Sequence, residues 1–279
     1  MILVTGASGM VGSALVQQLI ANGEAIRVFT RDAAKVARWG QQVECAVGDL
    51  SQPETLPAAL EGIERVFLVT AATQQDVHVI AAAKTAGVRH LVKLSTIEAG
   101  HEPMIGHGKY HREREDLIRA SGLAWTFLRP TMFASTALDW AEAVKRQGVV
   151  RFPGGAGQVG VVDPWDVAAV AAVALTRPGH ERQAYALTGP ELLSIGDMAH
   201  AIGQMLGKPI EYQDMPDAEA GERLRQAGLP EHAVQGLVTA FTAMRTGRFA
   251  YLTDTVEQVT GRQPRAFQVW CQEYAAAFR

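Results

Sequence analysis

The stretch MILVTGASGMVG, residues 1–12, decides the fold that this sequence predicts. Residues 2–4 form an apolar run without polar alternation, which is typical of a strand buried on both faces. Gly6, Gly9 and Gly12 follow at even spacing, and apolar residues then recur at helical intervals. In a strand, glycine turn and helix, Gly6 permits a tight turn, Gly9 lets backbone N–H groups approach a pyrophosphate, and Gly12 lets the helix lie close to the strand. The stretch therefore predicts a dinucleotide cradle, although an ordinary strand–helix turn is the alternative interpretation.

The bulk composition is that of a globular protein with a full core. The chain has 279 residues, of which 48% are hydrophobic and 20% charged, and its net charge is −3. A net negative charge does not favour binding of nucleic acid. The two cysteines are too few for a disulfide framework and show no metal-ligand spacing, and the first residues do not resemble a signal peptide. The longest apolar run, residues 167–175, is too short to span a membrane. We therefore expect a cytoplasmic protein without nucleic-acid or membrane partners.

Strands alternate with helices through the first 130 residues. This rhythm predicts an α/β protein with a doubly wound parallel Rossmann sheet of order 3-2-1-4-5-6, whose ligand crevice lies beyond the carboxyl ends of the strands. We expect an NAD(P)-binding domain over residues 1–150 and a smaller, mostly helical, substrate-binding part over 151–279. Elements near 158–175 are expected to pack back on the Rossmann core. The predicted strands of the sheet are 2–4, 25–30, 43–47, 66–69, 90–95 and 124–128.

The end of the second strand bears on the choice of cofactor. A site that prefers NAD usually carries Asp or Glu there, whereas this sequence has Arg31, with Lys35 one helical turn further on. A guanidinium at this place favours a 2′-phosphate, so NADP(H) is predicted and NAD(H) stays open. Two alternatives concern single residues. Arg31 could be a solvated surface charge, and Asp32 could be a ribose ligand, although a helix N-cap is its simpler role.

With these pieces assembled, the chain resembles the NmrA-like group of atypical short-chain dehydrogenase/reductases, from end to end. That group includes NAD(P)H-dependent quinone, triphenylmethane-dye and azo-dye reductases, as well as catalytically silent NADP sensors that regulate transcription. The motifs therefore imply the fold and the cofactor more strongly than the reaction. The matching residues are Thr5–Gly12, Thr30–Arg31, Gly48–Asp49, Lys84–Val88, Leu94–Thr96, His111–Glu115, Ser121–Leu123, Leu128–Pro130, Asp166–Ala168 and Thr260–Arg265.

The resemblance and the predicted strand ends together give a set of cofactor contacts. Asp49 and Leu50 resemble the group's adenine contacts, although Asp49 could equally be a turn residue after Gly48. The segment 70–72 is small enough to let a nicotinamide ribose pass, and Phe133, although expected near the nicotinamide, could be plain core. The full predicted set is Gly6, Ser8, Gly9, Met10, Val11, Gly12, Arg31, Lys35, Asp49, Leu50, Thr70, Ala71, Ala72, Ser95, Pro130 and Phe133.

The residues expected for proton transfer are missing. Most short-chain dehydrogenases use Tyr-x-x-x-Lys, in which an ammonium makes a phenol acidic enough to protonate a carbonyl. None of the five tyrosines has a lysine four residues later, so chemistry on unactivated ketones or alcohols is not expected. Quinones, cationic dyes, iminium ions and azo compounds need less acid assistance, and positioning of the hydride can suffice for them. Ser95 matches the family's serine, but its catalytic role is doubtful without the tyrosine.

His111 is the predicted catalytic residue. It matches the family's lysine position, and Glu115, one helical turn later, could orient its imidazole. It could equally be a half-exposed histidine on a charged helix. His107 lies four residues earlier, but Gly106 and Gly108 predict a loop there and no third ligand is near, so no metal is expected.

The sequence thus predicts a reductase that transfers hydride from NADPH directly to a small quinone-like, azo, iminium or other electron-poor aromatic acceptor. Flavin and metal are not expected, and the predicted assembly is a monomer or a homodimer. A catalytically silent NADP-binding redox sensor is the main alternative. A sugar-nucleotide epimerase is a weaker one, since the tyrosine–lysine pair is missing.

Overall fold

The computed structural model describes residues 1–102, 104 and 106–279. Within this part of the chain, seven strands form one sheet in the order β3-β2-β1-β4-β5-β6-β9. The predicted doubly wound Rossmann sheet is confirmed, and β9 extends it beside β6. The strands of the sheet are β1 (Ile2–Thr5), β2 (Ile26–Thr30), β3 (Glu44–Val47), β4 (Arg65–Leu68), β5 (His90–Leu94), β6 (Ala124–Pro130) and β9 (Gln183–Leu187).

Two small pairs of strands and the helices complete the described chain. Strand β7 (Val149–Phe152) pairs in parallel with β11 (Glu211–Asp214), and β8 (Gln158–Gly160) pairs antiparallel with β10 (Leu192–Ser194). The α-helices are α1 (Met10–Ala21), α2 (Leu56–Leu60), α3 (Thr73–Ala86), α4 (Gly106–Ala120), α5 (Ala141–Gln147), α6 (Pro164–Thr176), α7 (Ile195–Leu206), α8 (Asp217–Gln226), α9 (Glu231–Arg245), α10 (Thr255–Thr260) and α11 (Phe267–Glu273). Short 3₁₀ helices cover Ala33–Gln42, Pro53–Thr55, Ile97–Gly100, Ala134–Trp140 and Ala275–Phe278.

The apolar run of the N-terminus forms the strand next to the centre of the sheet. All four residues of β1 are buried, as expected for a strand with helices on both faces. Ile2 is paired with Ile26 on one side and with Arg65 on the other, both in parallel register. The carboxyl ends of β1, β2 and β4 therefore lie side by side at one edge of the sheet.

The described chain divides into two compact units that alternate along the sequence. The first comprises residues 1–95, 111–129 and 164–185, and the second comprises 96–110, 130–163 and 186–279. In the first unit α6 packs against α1, where the Gln18 side chain donates a hydrogen bond to the Trp165 carbonyl oxygen at 3.1 Å. In the second, Phe267, Trp270 and Met198 belong to a separate buried apolar cluster.

Among the described residues, no helix combines the length and the apolar character needed to cross a bilayer.

Candidate cofactor-binding site

The glycine turn joins β1 to α1 and leaves the start of the helix open. Gly6 has a φ of +65°, a left-handed conformation that side chains disfavour. The Gly9 N–H donates to the Gly6 carbonyl oxygen at 2.9 Å, which closes the turn. Gly9 is also the N-cap of α1, and no described side chain caps this helix end. The N–H groups of the first turn are therefore free to bind an anion.

The three glycines of the turn differ in how strictly the fold requires them. A Cβ on Gly12 would lie 2.2 Å from the Gly6 carbonyl oxygen, so any side chain there would displace the turn. A Cβ on Gly9 would lie 3.3 Å from the same oxygen, and the φ of Gly9 is −83°, which any residue can adopt. Gly12 was predicted to let the helix lie close to the strand, and the close contacts observed are with the turn, at Gly6 and Ala7. A side chain at Gly9 would therefore require the turn to shift by a few tenths of an ångström, far less than a side chain at Gly12 would.

A cleft of about 300 Å³ opens above this turn, at the carboxyl ends of β1, β2 and β4. It lies entirely within the first unit. Eight of the predicted cofactor residues line it: Gly6, Ser8, Arg31, Lys35, Asp49, Leu50, Thr70 and Ala71. Its other lining residues are Thr5, Ala7, Phe29, Thr30, Asp32, Gly48, Val69 and Gln75.

Two cations stand at the β2 end of the cleft. Arg31 and Lys35 are both exposed, and neither has a salt-bridge partner among the described residues. The Asp32 carboxylate accepts a hydrogen bond from the Ala34 N–H at 2.9 Å and so caps the 3₁₀ helix that follows. This confirms the N-cap role of Asp32, and it leaves the two cations as the groups suited to an anionic ligand.

Asp49 serves as a turn residue. Its carboxylate accepts a hydrogen bond from the Ser51 N–H at 2.8 Å, as expected after Gly48. The Leu50 carbonyl oxygen lies 3.1 Å from the Nδ1 of His78, which fixes the backbone at this point. The turn role and a ligand role are compatible for Asp49, because its side chain also lines the cleft.

The third wall of the cleft is formed by Thr70 and Ala71, the first two residues of the segment 70–72 after β4. The Gln75 side-chain oxygen accepts hydrogen bonds from the Ala71 N–H at 2.8 Å and the Ala72 N–H at 3.3 Å. The Gln75 amide nitrogen donates to the Ser51 hydroxyl at 3.0 Å, which connects two walls of the cleft. Gln75 was not among the predicted residues. The signal that could have revealed it is its place three residues after Ala72, because a polar side chain there can bind the backbone of the short segment that follows β4.

A charged cluster lies buried behind the same segment. Lys93 on β5 donates to an Asp76 carboxylate oxygen and to the Thr70 hydroxyl, both at 2.7 Å. The Nε of Arg114 lies 3.3 Å from the other Asp76 oxygen. The side chains of Lys93 and Asp76 have no exposed surface, and that of Arg114 is 2% exposed. Burial lowers the pKa of Lys93, whereas the Asp76 carboxylate acts in the opposite direction.

Glu115 has a different role from the predicted one. Its two carboxylate oxygens accept hydrogen bonds from Ser95 at 2.6 Å, from Arg119 at 2.9 Å and from Arg129 at 2.9 and 2.5 Å. Because these contacts occupy both oxygens, Glu115 holds the end of β5 against β6 instead of orienting His111. Ser95 is buried and donates its hydroxyl to this carboxylate.

The loop predicted at Gly106 and Gly108 is wrong, because α4 begins at Gly106. A Cβ on Gly108 would lie 2.5 Å from the Glu98 carbonyl oxygen, so this glycine permits a close approach and does not interrupt the helix. His107 and the half-buried His111 therefore stand one turn apart on a single helix. Among the described residues no three His, Cys, Asp or Glu side chains are grouped to hold a metal ion.

Glu98, in the second unit, is a buried carboxyl that the sequence did not single out. Its residue surface is 9% exposed, and its Oε2 atom has no hydrogen-bond partner among the described residues. Burial raises its pKa to about 7, while a hydrogen bond with the Gly108 backbone and the charge of Arg248 lower it.

The remaining predicted residues lie outside the lining of the cleft. Gly9, Met10, Val11 and Gly12 form the turn and the first helical residues behind it, and Ala72 is the N-cap of α3. Ser95 and His111 belong to the first unit. Pro130 and Phe133 belong to the second unit, where Phe133 forms an isolated parallel bridge with Val162. Ligand roles for all the predicted residues, inside the lining and outside it, stay predictions.

The sheet and its glycine turn define an α/β protein with a dinucleotide cleft. A sequence profile of the family described as NAD(P)H-binding matches residues 6–178. The chain belongs to this family, and its likeness to NmrA-like reductases is confirmed.

Three known proteins illustrate the relationship. NAD(P)H azoreductase of Xenophilus azovorans is 38% identical over 283 residues, which cover 100% of this chain and 99% of the relative. The (4-alkanoyl-5-oxo-2,5-dihydrofuran-3-yl)methyl phosphate reductase of Streptomyces griseus is 39% identical, with the same coverage. The NADPH-dependent quinone oxidoreductase of Escherichia coli, solved in complex with NADPH, is 26% identical with a TM-score of 0.87, over 99% of this chain and 100% of that one.

Proposed function

We propose that this protein is an NADPH-dependent reductase that delivers hydride directly to an electron-poor organic acceptor. The observation that carries the proposal is the cleft above the glycine turn, with Arg31 and Lys35 at its β2 end. A pyrophosphate fits the open N-terminus of α1, and an adenosine 2′-phosphate fits the two exposed cations. NADPH, when bound, supplies the hydride.

The acceptor class follows from relatives and from residues that this chain lacks. One relative is named an azoreductase and the other a (4-alkanoyl-5-oxo-2,5-dihydrofuran-3-yl)methyl phosphate reductase. An azo bond and the ring double bond of such a dihydrofuranone are both electron-poor π systems. The chain lacks Tyr-x-x-x-Lys, so it offers no phenol of raised acidity. Quinone-like, azo and iminium acceptors suit such a site: an iminium ion takes up hydride without a proton, and water can supply the proton that a quinone or an azo compound needs. The chain's own contribution is to bind both reactants and hold them in line.

Turnover of NADPH with a panel of acceptors tests the proposal. The panel comprises a benzoquinone, an azo dye, a triphenylmethane dye and a cyclic iminium ion, with a simple ketone as the control. We expect oxidation of NADPH with at least one panel member and none with the ketone. Tight NADPH binding without any turnover would contradict the reductase and select the redox-sensor alternative.

Arg31→Ala is expected to weaken NADPH binding by about 1.5–3 kcal/mol, the scale of a charged hydrogen bond. NADH binding should be almost unchanged, since NADH lacks the 2′-phosphate. Calorimetric titration with both cofactors measures the difference. Lys84→Ala removes an exposed cation at the far end of α3 and serves as the control. Equal losses for NADPH and NADH would show that Arg31 does not contact the phosphate.

His111→Ala is expected to lower kcat less than about tenfold at saturating NADPH, short of the roughly 10²–10⁴-fold of a general acid. We assign His111 the role of steadying the nicotinamide ribose, so its loss should appear mainly as weaker NADPH affinity. His111→Asn, which keeps a hydrogen-bonding group near Nδ1, should recover part of that affinity. Single-turnover kinetics with a reactive quinone separate the steps. A collapse of hydride transfer with NADPH affinity intact would make His111 the acid.

We further propose a cytoplasmic protein that acts on a small molecule as a monomer or homodimer. Both cysteines are free, and one of them, Cys45, is exposed, which suits a reducing compartment. Light scattering of the purified protein distinguishes the two assembly states.

A further inference from the structure

The charged cluster of Lys93, Asp76 and Arg114 offers the cofactor nothing directly, because it has almost no exposed surface. Each of its members nevertheless bonds to Thr70, which lines the cleft. Lys93 donates a hydrogen bond to the Thr70 hydroxyl, and that hydroxyl is 3.0 Å from both Asp76 carboxylate oxygens, to which it donates. Arg114 donates to the Thr70 carbonyl oxygen at 3.4 Å. The hydroxyl and the carbonyl of Thr70 are thus held by side chains from one strand, β5, and two helices, α3 and α4.

We propose that Lys93 is a positioning residue, which through the Thr70 hydroxyl sets the segment 70–72, whose first two residues line the cleft. A charged residue inside a strand buried on both faces is costly unless it is paired, and replacing such a pair by apolar residues often costs nothing in stability. Fold stability therefore does not by itself explain a lysine at this place. The bonds of Lys93 do, because one of them goes to Asp76 and another to a residue of the cleft.

The neighbouring contacts show why this wall needs support. Beyond Thr70, the Ala71 and Ala72 N–H groups are held by a single Gln75 oxygen, at 2.8 and 3.3 Å. Alanine side chains add no polar anchor of their own. The cluster and Gln75 therefore hold the wall from opposite ends, and loss of the Lys93 ammonium would release the Thr70 end.

The inference rests on the proposed function, since it concerns NADPH affinity.

Lys93→Met removes the ammonium group but keeps an unbranched side chain. We expect this variant to bind NADPH about tenfold more weakly, the scale of coupling within one hydrogen-bond network. The value of kcat at saturating NADPH should change little. Thr70→Val removes only the hydroxyl and leaves every charge of the cluster in place, so it tests the same link if Lys93→Met folds poorly. Thr70→Ser is its control and should bind as the unchanged protein does.

The double variant decides how Lys93 acts. If Lys93 works through the Thr70 hydroxyl, Lys93→Met combined with Thr70→Val should bind NADPH no more weakly than the weaker single variant. Additive losses would overturn the proposal, as would a folded Lys93→Met or Thr70→Val variant that binds NADPH with full affinity. Failure of the unchanged protein to bind NADPH would instead refute the proposed function, so the two failures are distinguishable.

Discussion

Gly9→Asp is expected to abolish NADPH binding while leaving the fold intact. The new carboxylate would stand at the open N-terminus of α1, where the pyrophosphate should lie. Two like charges about 4 Å apart near a protein surface repel by about 4 kcal/mol, which corresponds to roughly a thousandfold loss of affinity. The apo protein should stay folded and melt only slightly lower, because any residue can adopt the φ of Gly9 and the Gly6 carbonyl oxygen, 3.3 Å from the added Cβ, would have to shift by only a few tenths of an ångström. Titration of NADPH and thermal unfolding of the apo protein measure both effects.

Two further glycine variants make this test sharper. Gly9→Ala adds volume without charge and should weaken binding less than Gly9→Asp does. Gly12→Ala should instead destabilise the apo protein, since its Cβ would meet the Gly6 carbonyl oxygen at 2.2 Å. Retained NADPH affinity in Gly9→Asp would mean that the turn is purely structural, and the proposed cofactor site would then be wrong.

Glu98→Gln is expected to remove a pH dependence of stability worth about 3 kcal/mol. Burial raises the pKa of Glu98 from 4.5 to about 7 in the folded protein, and each pKa unit corresponds to about 1.4 kcal/mol. The folded state therefore holds a proton that the unfolded state releases between these pH values. This proton stabilises the folded protein fully below about pH 4.5, and the stabilisation is lost as the pH rises to about 7.

Denaturant unfolding at several pH values measures this difference. The free energy of unfolding of Glu98→Gln, relative to the unchanged protein, should rise between pH 4.5 and pH 7 and then stay level. Glu113→Gln replaces an exposed carboxylate on α4 and is the control, for which we expect no such rise. Parallel pH profiles for the unchanged protein and Glu98→Gln would show that Glu98 is ionised in the fold throughout this range.

Much of the fold could be predicted because its signals are local. The apolar run at residues 2–4, the glycine turn and the helix after it are contiguous, and their order alone specifies the strand–turn–helix unit. The N-cap role of Asp32 is also local, since its partner Ala34 lies two residues away. The strand order could be predicted from the regular alternation of strands and helices, because short, right-handed connections allow only a few topologies for such a chain.

The buried networks depend on contacts that sequence spacing does not reveal. Lys93 and Asp76 lie 17 residues apart and meet only because the fold brings the first turn of α3, which carries Asp76, within reach of the Lys93 side chain on β5. One signal was available: a lysine within the strand His90–Leu94 must be paired if the strand is buried on both faces. It indicates that a partner exists without naming it. The orienting role assigned to Glu115 failed for the same reason, because Ser95 and Arg129 are distant in sequence.

Glycine was the other source of error. The same residue type ends helices, as Gly87 does for α3 in a left-handed conformation, and allows close packing inside them, as Gly108 does in α4. Only the neighbouring backbone distinguishes the two uses, and the sequence does not show it.

Direct transfer of hydride from NADPH is the central claim, and one labelling measurement tests it. A triphenylmethane dye is incubated with the protein and NADPH carrying deuterium stereospecifically at C4, and the colourless product is analysed by mass spectrometry. We predict that one of the two labelled forms of NADPH delivers its deuterium to the central carbon of the dye, with one NADPH oxidised per dye reduced. A reduced dye without deuterium from either form, or bound NADPH that no member of the acceptor panel oxidises, would contradict direct hydride transfer.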